Sequence, residues 1–503
     1  MNRRLTLAVT AAVALLVLTA CTPDRTQVTP TATPTVAPTT GGFDAYAQTL
    51  TWSTCAELQC ADVQVPLDWG NPQGETITLK INKLAAKGTP KGSLLINPGG
   101  PGGSGLELTP YFGTIAGADL LAAYDVIGFD PRGVGTSTPV DCGDTDTVNA
   151  YIVTDYPLET QADVDAANAR NLAFGQGCEK ATGALIQHVD TVSVARDMDV
   201  IRALVGDKKL NYLGFSYGTE LGATYAELFP DHVGQMVLDG AVDFLLPSDE
   251  QAAGQATGFE GALTNFVVWC DAQKDCPLES NADAAKKQIH DIAVDAIANP
   301  LPGASGDVNG NLMTYGIVVT LYDEASWPYL SQALAEVIDE NTATIMGQLA
   351  DFYLDRDSKT GDYLTNSTVA FSAISCLDAE PEPAWDLARV DQFTALMEEA
   401  SPTFGWWFAA STGCSDWPFH ADERVTSLDK AASVSPILVV GTTNDPATPY
   451  AWAQSLTEEL GNATLLTYDG EGHTAYGRSN QCIIDAVDGW LVDGTMPDSG
   501  TVC

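Results

Sequence analysis

The feature that most restricts the fold is a serine between two glycines, set between an apolar run and a helix-like segment. Residues 210–230 read LNYLGFSYGTELGATYAELFP, with Ser216 flanked by Gly214 and Gly218. A G-x-S-x-G turn leads sharply from a strand into a helix, because larger side chains at the glycine positions would collide with neighbouring structure. The pentapeptide also fits an ordinary tight turn in a chain with 45 glycines. Its strand-like and helix-like flanks favour an α/β fold with Ser216 as a candidate nucleophile.

Alternating strand and helix patterns continue on both sides of this turn. Apolar runs lead into glycine-rich loops at KGSLLINPGGPGGSG and YDVIGFDPRGVGTS, and TVSVARDMDVIRALVG has helical spacing. This alternation is typical of a mainly parallel sheet covered on both faces. Helix-like segments replace it for a stretch far longer than an ordinary loop, and it returns at SPILVVGTTNDPATP. We predict an α/β domain over residues 46–244 and 435–503, split by a mostly helical lid over residues 245–434.

The N-terminal segment lies outside this predicted fold. MNRR is basic, residues 5–18 are apolar and LTAC ends at Cys21. The apolar run is shorter than the roughly 20 residues that a membrane-spanning helix needs, and the order is that of a secretory signal. LTAC resembles the lipobox of bacterial lipoproteins, which implies lipidation of Cys21. We expect a signal peptide over residues 1–20, a Thr/Pro-rich spacer over residues 21–45 and an extracytoplasmic protein with a lipid anchor in the cell membrane.

The remaining cysteines agree with export. Ten are left besides Cys21, and an even number in an oxidising compartment indicates disulfides. Zinc is the competing interpretation, but no Cys-x-x-Cys occurs and the five histidines are scattered, so we predict no metal site. The simplest pairing joins neighbours in the chain: Cys55–Cys60, Cys142–Cys178, Cys270–Cys276, Cys376–Cys414 and Cys482–Cys503.

The charge balance excludes one class of partner. The chain has 66 Asp and Glu against 23 Lys and Arg, a formal net charge of −43. Such a surface repels the phosphates of nucleic acids, so no nucleic-acid partner is expected.

A serine nucleophile needs a base and a carboxylate that orients it. Asp445 follows an apolar strand in VVGTTNDPATP, and His473 follows the next one in LLTYDGEGHTAYG. This is the chain order of serine, acid and histidine that accompanies a G-x-S-x-G turn. Asp469 is closer to the histidine in sequence but would lie on its strand. We therefore predict a triad of Ser216, Asp445 and His473.

The tetrahedral intermediate of such a reaction needs amide donors for its oxyanion. The amide of Tyr217, directly after the serine, is one candidate. The other should come from the loop NPGGPGGSG over residues 97–105. A phosphate cradle is the alternative for this loop, but no P-loop lysine follows it and no G-x-G-x-x-G register fits.

Five segments together resemble one family. NPGGPGGSG, FDPRGVGTS, GFSYGT, YAELFPDHVGQMVLDG and GTTNDPATP are similar to the secreted actinobacterial tripeptidyl aminopeptidases, which are α/β-hydrolases related to prolyl aminopeptidases. The similarity runs from about residue 50 to the end and is weakest in the insertion. It implies an α/β-hydrolase fold and hydrolysis of peptides from a free N-terminus by the predicted triad, without a cofactor. Matching PGGP to the H-G-G-P loop of the prolyl enzymes implies that Gly100 is the second oxyanion donor. Pro98 stands where those enzymes carry histidine, so only the backbone role transfers.

An exopeptidase must also bind the ammonium group of its substrate. ISCLDAEPEP offers Asp378 and Glu380, and GCSDWPF offers Asp416, each close to a cysteine of the predicted Cys376–Cys414 pair. Ordinary solvated carboxylates are the alternative for all three. The aromatic stretches FGWWF and DWPF could line a substrate pocket, although aromatic residues in a helical domain more often form its core.

These features predict a serine aminopeptidase that removes short peptides or single residues from a free N-terminus. The family resemblance implies that the short peptides are tripeptides. Fold and triad do not fix the substrate, so a carboxylesterase or lipase with the same triad is the alternative. A non-catalytic binding lipoprotein is the third hypothesis, and failure to react with a fluorophosphonate would favour it.

Overall fold

A nine-stranded sheet forms the centre of the part of the chain that the computed structural model describes, residues 43–503. The predicted signal peptide, Cys21 and nearly all of the predicted spacer lie outside the described residues. No helix within the described part is long and apolar enough to cross a bilayer.

The strands follow one another in the order β1 (Ser53–Cys55), β2 (Leu58–Pro66), β3 (Thr76–Leu84), β4 (Gly92–Asn97), β5 (Tyr124–Phe129), β6 (Leu210–Phe215), β7 (Val233–Asp239), β8 (Leu301–Pro302), β9 (Asp307–Val308), β10 (Ile437–Asn444) and β11 (Ala463–Glu471). The α-helices are α1 (Gly105–Ile115), α2 (Ala118–Ala123), α3 (Thr145–Ile152), α4 (Gln161–Thr182), α5 (Thr191–Leu204), α6 (Tyr217–Leu228), α7 (Ser248–Asp271), α8 (Ala282–Ala298), α9 (Gly310–Leu321), α10 (Trp327–Glu340), α11 (Thr344–Tyr353), α12 (Ser367–Asp378), α13 (Leu387–Ala400), α14 (Gly405–Phe408), α15 (Tyr450–Glu459) and α16 (Gln481–Asp488).

The sheet has the order β1-β2-β3-β5-β4-β6-β7-β10-β11. The pairs β1–β2, β2–β3 and β3–β5 are antiparallel, and every pair from β5 to β11 is parallel. β8 and β9 form a separate two-stranded hairpin inside the insertion. The carboxyl ends of β4, β6, β7, β10 and β11 therefore meet at one edge, where parallel α/β sheets bind their ligands.

Both faces of the parallel part are buried, as its continuous apolar runs predict. In β4, Leu94 and Leu95 belong to different hydrophobic clusters, because successive side chains of a strand point to opposite faces. Leu213 and Tyr212 in β6 divide in the same way. The predicted fold class, a mainly parallel sheet covered on both faces and interrupted by a large helical insertion, is confirmed.

The insertion has a core of its own. Helices α7 to α14 lie between β7 and β10, and Phe266, Met313 and Leu330 are buried among them in one cluster. β7 ends at Asp239 and β10 begins at Ile437, and the segment that the loss of strand signals indicated, residues 245–434, lies between them.

A second helical segment was missed by the sequence analysis. Helices α3 and α4 lie between β5 and β6, and α4 packs against the insertion. The Asn168 amide donates to the main-chain oxygen of Trp385 at 2.8 Å, and the Asn171 amide donates to that of Ser415 at 2.9 Å. α4 gave no clear signal because its buried positions include asparagine, alanine and glycine rather than a regular apolar stripe.

Five disulfides join the pairs that neighbour pairing predicts. Cys376–Cys414 lies in the insertion and connects α12 to the loop that follows α14. Cys482–Cys503 fixes the C-terminal residue to α16.

Candidate active site

Ser216 is the single residue between β6 and α6. Its φ of 55° and ψ of −126° are rare for a residue with a side chain and cost on the order of 1–3 kcal/mol. The flanking glycines allow this turn. A Cβ at Gly214 would lie 2.3 Å from the main-chain oxygen of Gly218, and one at Gly218 would lie 2.8 Å from Asn97 Oδ1. The backbone is thus held in the strained turn that presents a nucleophile.

The predicted acid and base are in contact. His473 Nδ1 lies 2.9 Å and 3.0 Å from the two carboxylate oxygens of Asp445. That carboxylate also accepts hydrogen bonds from the amides of Ala447, Thr448 and Thr474 and from the Thr448 hydroxyl. The Asp445 side chain is fully buried and that of His473 is 12% exposed. A carboxylate fixed by this many donors can orient the imidazole and stabilise its positive charge.

The imidazole lies at the same edge of the sheet as Ser216. The Ser216 amide donates to the main-chain oxygen of Asp239 at 2.9 Å. Gly240, the next residue, is so close to the base that a Cβ there would lie 3.3 Å from His473 Cε1. Within residues 43–503 the Ser216 hydroxyl makes no hydrogen bond to the imidazole. In hydrolases without substrate this bond is often long and shortens when substrate binds.

The loop after β4 runs beside the serine. Asn97 Oδ1 accepts the Gly99 amide at 2.9 Å, and a Cβ at Gly99 would lie 2.9 Å from Ser216 Cβ and 3.1 Å from the Tyr217 nitrogen. The amides of Gly100 and Tyr217 donate to no protein acceptor in the described part of the chain. Two amides without a protein acceptor, one of them directly after Ser216, are available as donors to an oxyanion.

A second glycine-rich loop, the one after β5, supports the first. The Asp130 carboxylate accepts hydrogen bonds from the Ser104 hydroxyl and the Thr136 amide, so it links the loop after β4 to the loop after β5. Asp130 is 1% exposed. FDPRGVGTS, which the sequence analysis treated as a glycine-rich loop and as part of a resemblance, thus supports the predicted oxyanion loop.

A residue of the insertion contacts the base. The amide of His473 donates to the main-chain oxygen of Tyr322, which follows α9, at 2.8 Å. The Tyr322 ring stands edge-on to the imidazole, with centroids 5.4 Å apart and an interplanar angle of 89°. Its hydroxyl lies 3.3 Å from that of Tyr353. The sequence analysis did not identify Tyr322, because nothing in the local pattern predicts this contact.

The three acidic candidates for binding an ammonium group are in different surroundings. The Asp378 carboxylate, at the end of α12, accepts hydrogen bonds from the amide and hydroxyl of Thr191, and that hydroxyl lies 2.5 Å from the Tyr217 hydroxyl. Glu380 is exposed and pairs with Arg424 at 3.2 Å. Asp416 is exposed. Asp378 is the one of the three that the structure connects to the turn at Ser216.

A carboxyl group that the sequence analysis overlooked lies near Asp378. Glu220 is four residues after Ser216, in the first turn of α6. It is half-buried, and burial, followed by the charge of Asp378, raises its pKa to about 8. Burial raises the pKa of Asp378 to about 7, and the charge of Asp190 adds to the increase. The charge of Arg424 lowers the pKa of both groups. The i, i+4 spacing from the serine was the available sequence signal.

This arrangement is suited to acyl transfer. It contains a strained serine, a histidine fixed by a buried aspartate and two free amides, all at the carboxyl edge of a parallel sheet. No group of three or more His, Cys, Asp or Glu side chains within residues 43–503 could hold a metal ion. Fold and site together define the class of protein, a serine hydrolase with the α/β-hydrolase fold.

Comparison with known proteins identifies the family within that class. Residues 401–503 match the family model of TAP-like proteins. The chain is 36% identical over 466 residues to serine protease Hip1 of Mycobacterium tuberculosis, covering 88% of this chain and 87% of that one. It is 32% identical over 466 residues to tripeptidyl aminopeptidase of Streptomyces lividans, covering 90% and 84%. The chain belongs to the tripeptidyl aminopeptidase family, as the resemblance predicted. It is also 35% identical over 491 residues to carboxylesterase B of Mycobacterium tuberculosis, covering 92% of each chain.

Proposed function

We propose that the protein is a serine aminopeptidase in which Ser216, Asp445 and His473 form the triad. Ser216 Oγ attacks the scissile carbonyl carbon while His473 takes the hydroxyl proton. The amides of Gly100 and Tyr217 donate to the oxyanion that forms. His473 then protonates the leaving amine, which departs as the C–N bond breaks and leaves an acyl-enzyme. Water activated by His473 hydrolyses that ester and regenerates Ser216.

The contact between Asp445 and His473 carries this proposal. Both carboxylate oxygens lie within 3.0 Å of His473 Nδ1. Because a carboxylate accepts hydrogen bonds, Nδ1 carries the proton of the neutral imidazole, and Nε2 is free to act as the base. The predicted nucleophile is at the same edge of the sheet, in a turn whose strain a serine would not adopt without constraint.

Substitution of the nucleophile tests the mechanism. Ser216→Ala should lower kcat by about 10⁴-fold or more, because only oxyanion and substrate binding would remain. The thermal unfolding midpoint should change little. Ser411→Ala, at an exposed position, is the matched control and should keep full activity. Turnover is measured with a peptide amide. Covalent labelling by a fluorophosphonate is measured by mass spectrometry. Labelling of Ser216→Ala at the wild-type rate would exclude this nucleophile.

For the N-terminus of the substrate, we propose binding by Asp378 and Glu220. Each carboxylate is held back from ionising by burial, and each is affected by the charge of a neighbouring acid. An ammonium group between them would lower both pKa values and restore both charges. The Thr191 hydroxyl connects Asp378 to the hydroxyl of Tyr217, the residue whose amide would bind the oxyanion. Ammonium and scissile carbonyl would thus be bound by one connected set of residues.

Peptide amides of one to four residues, with free or acetylated N-termini, test this specificity. Cleavage should require a free N-terminus, and the preferred length gives the size of the released peptide. Glu220→Gln and Asp378→Asn should each raise KM for free peptides by roughly 10- to 100-fold, the effect of losing a hydrogen bond to a charged group. Asp416→Asn is the matched control, since Asp416 is exposed. Equal cleavage of free and acetylated peptides would refute the exopeptidase assignment.

A carboxylesterase is the second candidate, and the 35% identity to a protein named carboxylesterase B favours it. The same triad would attack an acyl ester, because the mechanism does not depend on the leaving group. Adding p-nitrophenyl acyl esters to the substrate series separates the two functions. An esterase should show a kcat/KM for esters that rises with acyl length, with no use of free peptides.

The disulfides and the N-terminal pattern support a cellular location outside the cytoplasm. Five disulfides indicate an oxidising compartment, outside the cytoplasm. We propose that the chain is cleaved before Cys21, lipidated there and held at the outer side of the cell membrane, where peptides with free N-termini are its substrates.

A further inference from the structure

One buried aspartate bonds to the loops of both the nucleophile and the base. Asp239 is the last residue of β7 and has no exposed surface. Its carboxylate accepts the amide of Ala475 at 3.0 Å and 3.1 Å and the amide of Tyr476 at 2.7 Å, two and three residues after His473. Its main-chain oxygen accepts the amide of Ser216 at 2.9 Å. A single residue therefore fixes the relative position of two loops from distant parts of the sequence.

Asp239 and Gly240 form a corner at the end of β7, and this corner contacts the imidazole. Gly240 has a φ of 70°, and a Cβ there would lie 2.9 Å from Thr474 Cγ2 and 3.3 Å from His473 Cε1. The ring of the base thus packs directly against the main chain that follows Asp239. A shift of this corner would move the imidazole relative to the serine hydroxyl, because both loops are bonded to the same residue.

The carboxylate is an unusual choice for a purely structural acceptor. Within residues 43–503 Asp239 makes no salt bridge, and burying an unpaired charge is costly. Burial raises its pKa to about 6, the hydrogen bonds from the Tyr476 and Ala475 amides and the charge of His473 lower it, and the charge of Asp445 raises it. Its charge and that of His473 therefore stabilise each other. A positive imidazole forms during acyl transfer, so a second negative charge beside it has a role that a neutral acceptor would not have.

We propose that Asp239 is a positioning residue for the reaction, which sets the geometry between Ser216 and His473 and stabilises the imidazolium together with Asp445. The proposal rests on the proposed function of these side chains. The role of Asp239 differs from that of Asp445, because Asp239 acts through the main chain of the histidine loop and has no hydrogen bond to the imidazole ring.

The variant Asp239→Asn tests this role, with Asp243→Asn as matched control. Asp243 is also buried in the segment after β7, but its Oδ1 has no hydrogen-bond partner. Asp239→Asn should lower kcat by about 10²-fold, as expected for misplaced catalytic groups, while KM stays nearly constant. The loss should be equal for esters and amides. The acid limb of the kcat/KM profile should move to lower pH, because the imidazolium loses a neighbouring negative charge. Asp243→Asn should keep the wild-type kcat and profile.

Two further measurements make the outcome decisive. If Asp239→Asn does not fold, Gly240→Ala replaces it, because the added Cβ would lie 3.3 Å from His473 Cε1 and should displace the imidazole. Gly240→Ala should lower kcat by roughly 10-fold or more while KM stays nearly constant. Wild-type kcat in Gly240→Ala, or a folded Asn variant with wild-type kcat and acid limb, would overturn the proposal. Failure of the unaltered protein to react with a fluorophosphonate would instead reject the proposed function.

Discussion

At the scale of single residues, two carboxyl groups away from the active site are poorly satisfied. Asp243 Oδ1 and Glu459 Oε2 are buried without a hydrogen-bond partner in the described part of the chain. Burial, followed by the charge of Asp243, raises the pKa of Glu459 to about 7. In the folded protein Glu459 therefore keeps a proton between about pH 4.5 and pH 7 that it loses in the unfolded chain. Its contribution to stability decreases as the pH rises through this interval.

Glu459→Gln should therefore stabilise the protein at alkaline pH. The amide is neutral at every pH, so the penalty for an ionised carboxylate disappears. We expect a thermal unfolding midpoint about 1–3 °C above wild type at pH 8, with the difference vanishing near pH 4. Glu458→Gln, the same change at an exposed neighbour, should have no such pH-dependent effect. The prediction fails if Glu459→Gln is the less stable protein at pH 8.

At the scale of secondary-structure elements, the insertion is connected to the catalytic base. α9 ends at Leu321, and the carbonyl of Tyr322 directly after it accepts the amide of His473. α12 lies against the oxyanion loop, since a Cβ at Gly102 would lie 2.6 Å from the main-chain oxygen of Ser367. The helical insertion therefore contacts both halves of the proposed machinery.

Removing the Tyr322 ring tests this connection. Tyr322→Ala should lower kcat by roughly 10-fold, because the imidazole loses the edge-on ring that limits its orientation. Tyr322→Phe keeps the ring and should retain most of the activity, although it loses the contact with Tyr353. Tyr329→Ala, at a half-exposed position on α10, is the control. The measurement is kcat for a short ester. Wild-type kcat in Tyr322→Ala would mean that the ring does not position the base.

At the scale of the whole molecule, local patterns and tertiary contacts were not equally predictable. The sheet, the helical insertion and the turn at Ser216 follow from short-range periodicity and glycine placement. Asp445 and His473 could be proposed as a pair because each follows a predicted strand, and the two side chains are in contact. Glu220, Tyr322 and Asp239 were not identified, since their proposed roles depend on neighbours that are distant in sequence. The helices α3 and α4 were missed for a different reason, a weak apolar pattern.

The bond between Tyr322 and His473 has a consequence for how such a molecule could open. Any motion that lifts the end of α9 away from the sheet also withdraws the Tyr322 carbonyl, which accepts the amide of His473. The opened form would then have a loosened base and could not complete an acyl transfer. Hydrolysis by the proposed triad would then be confined to the closed form.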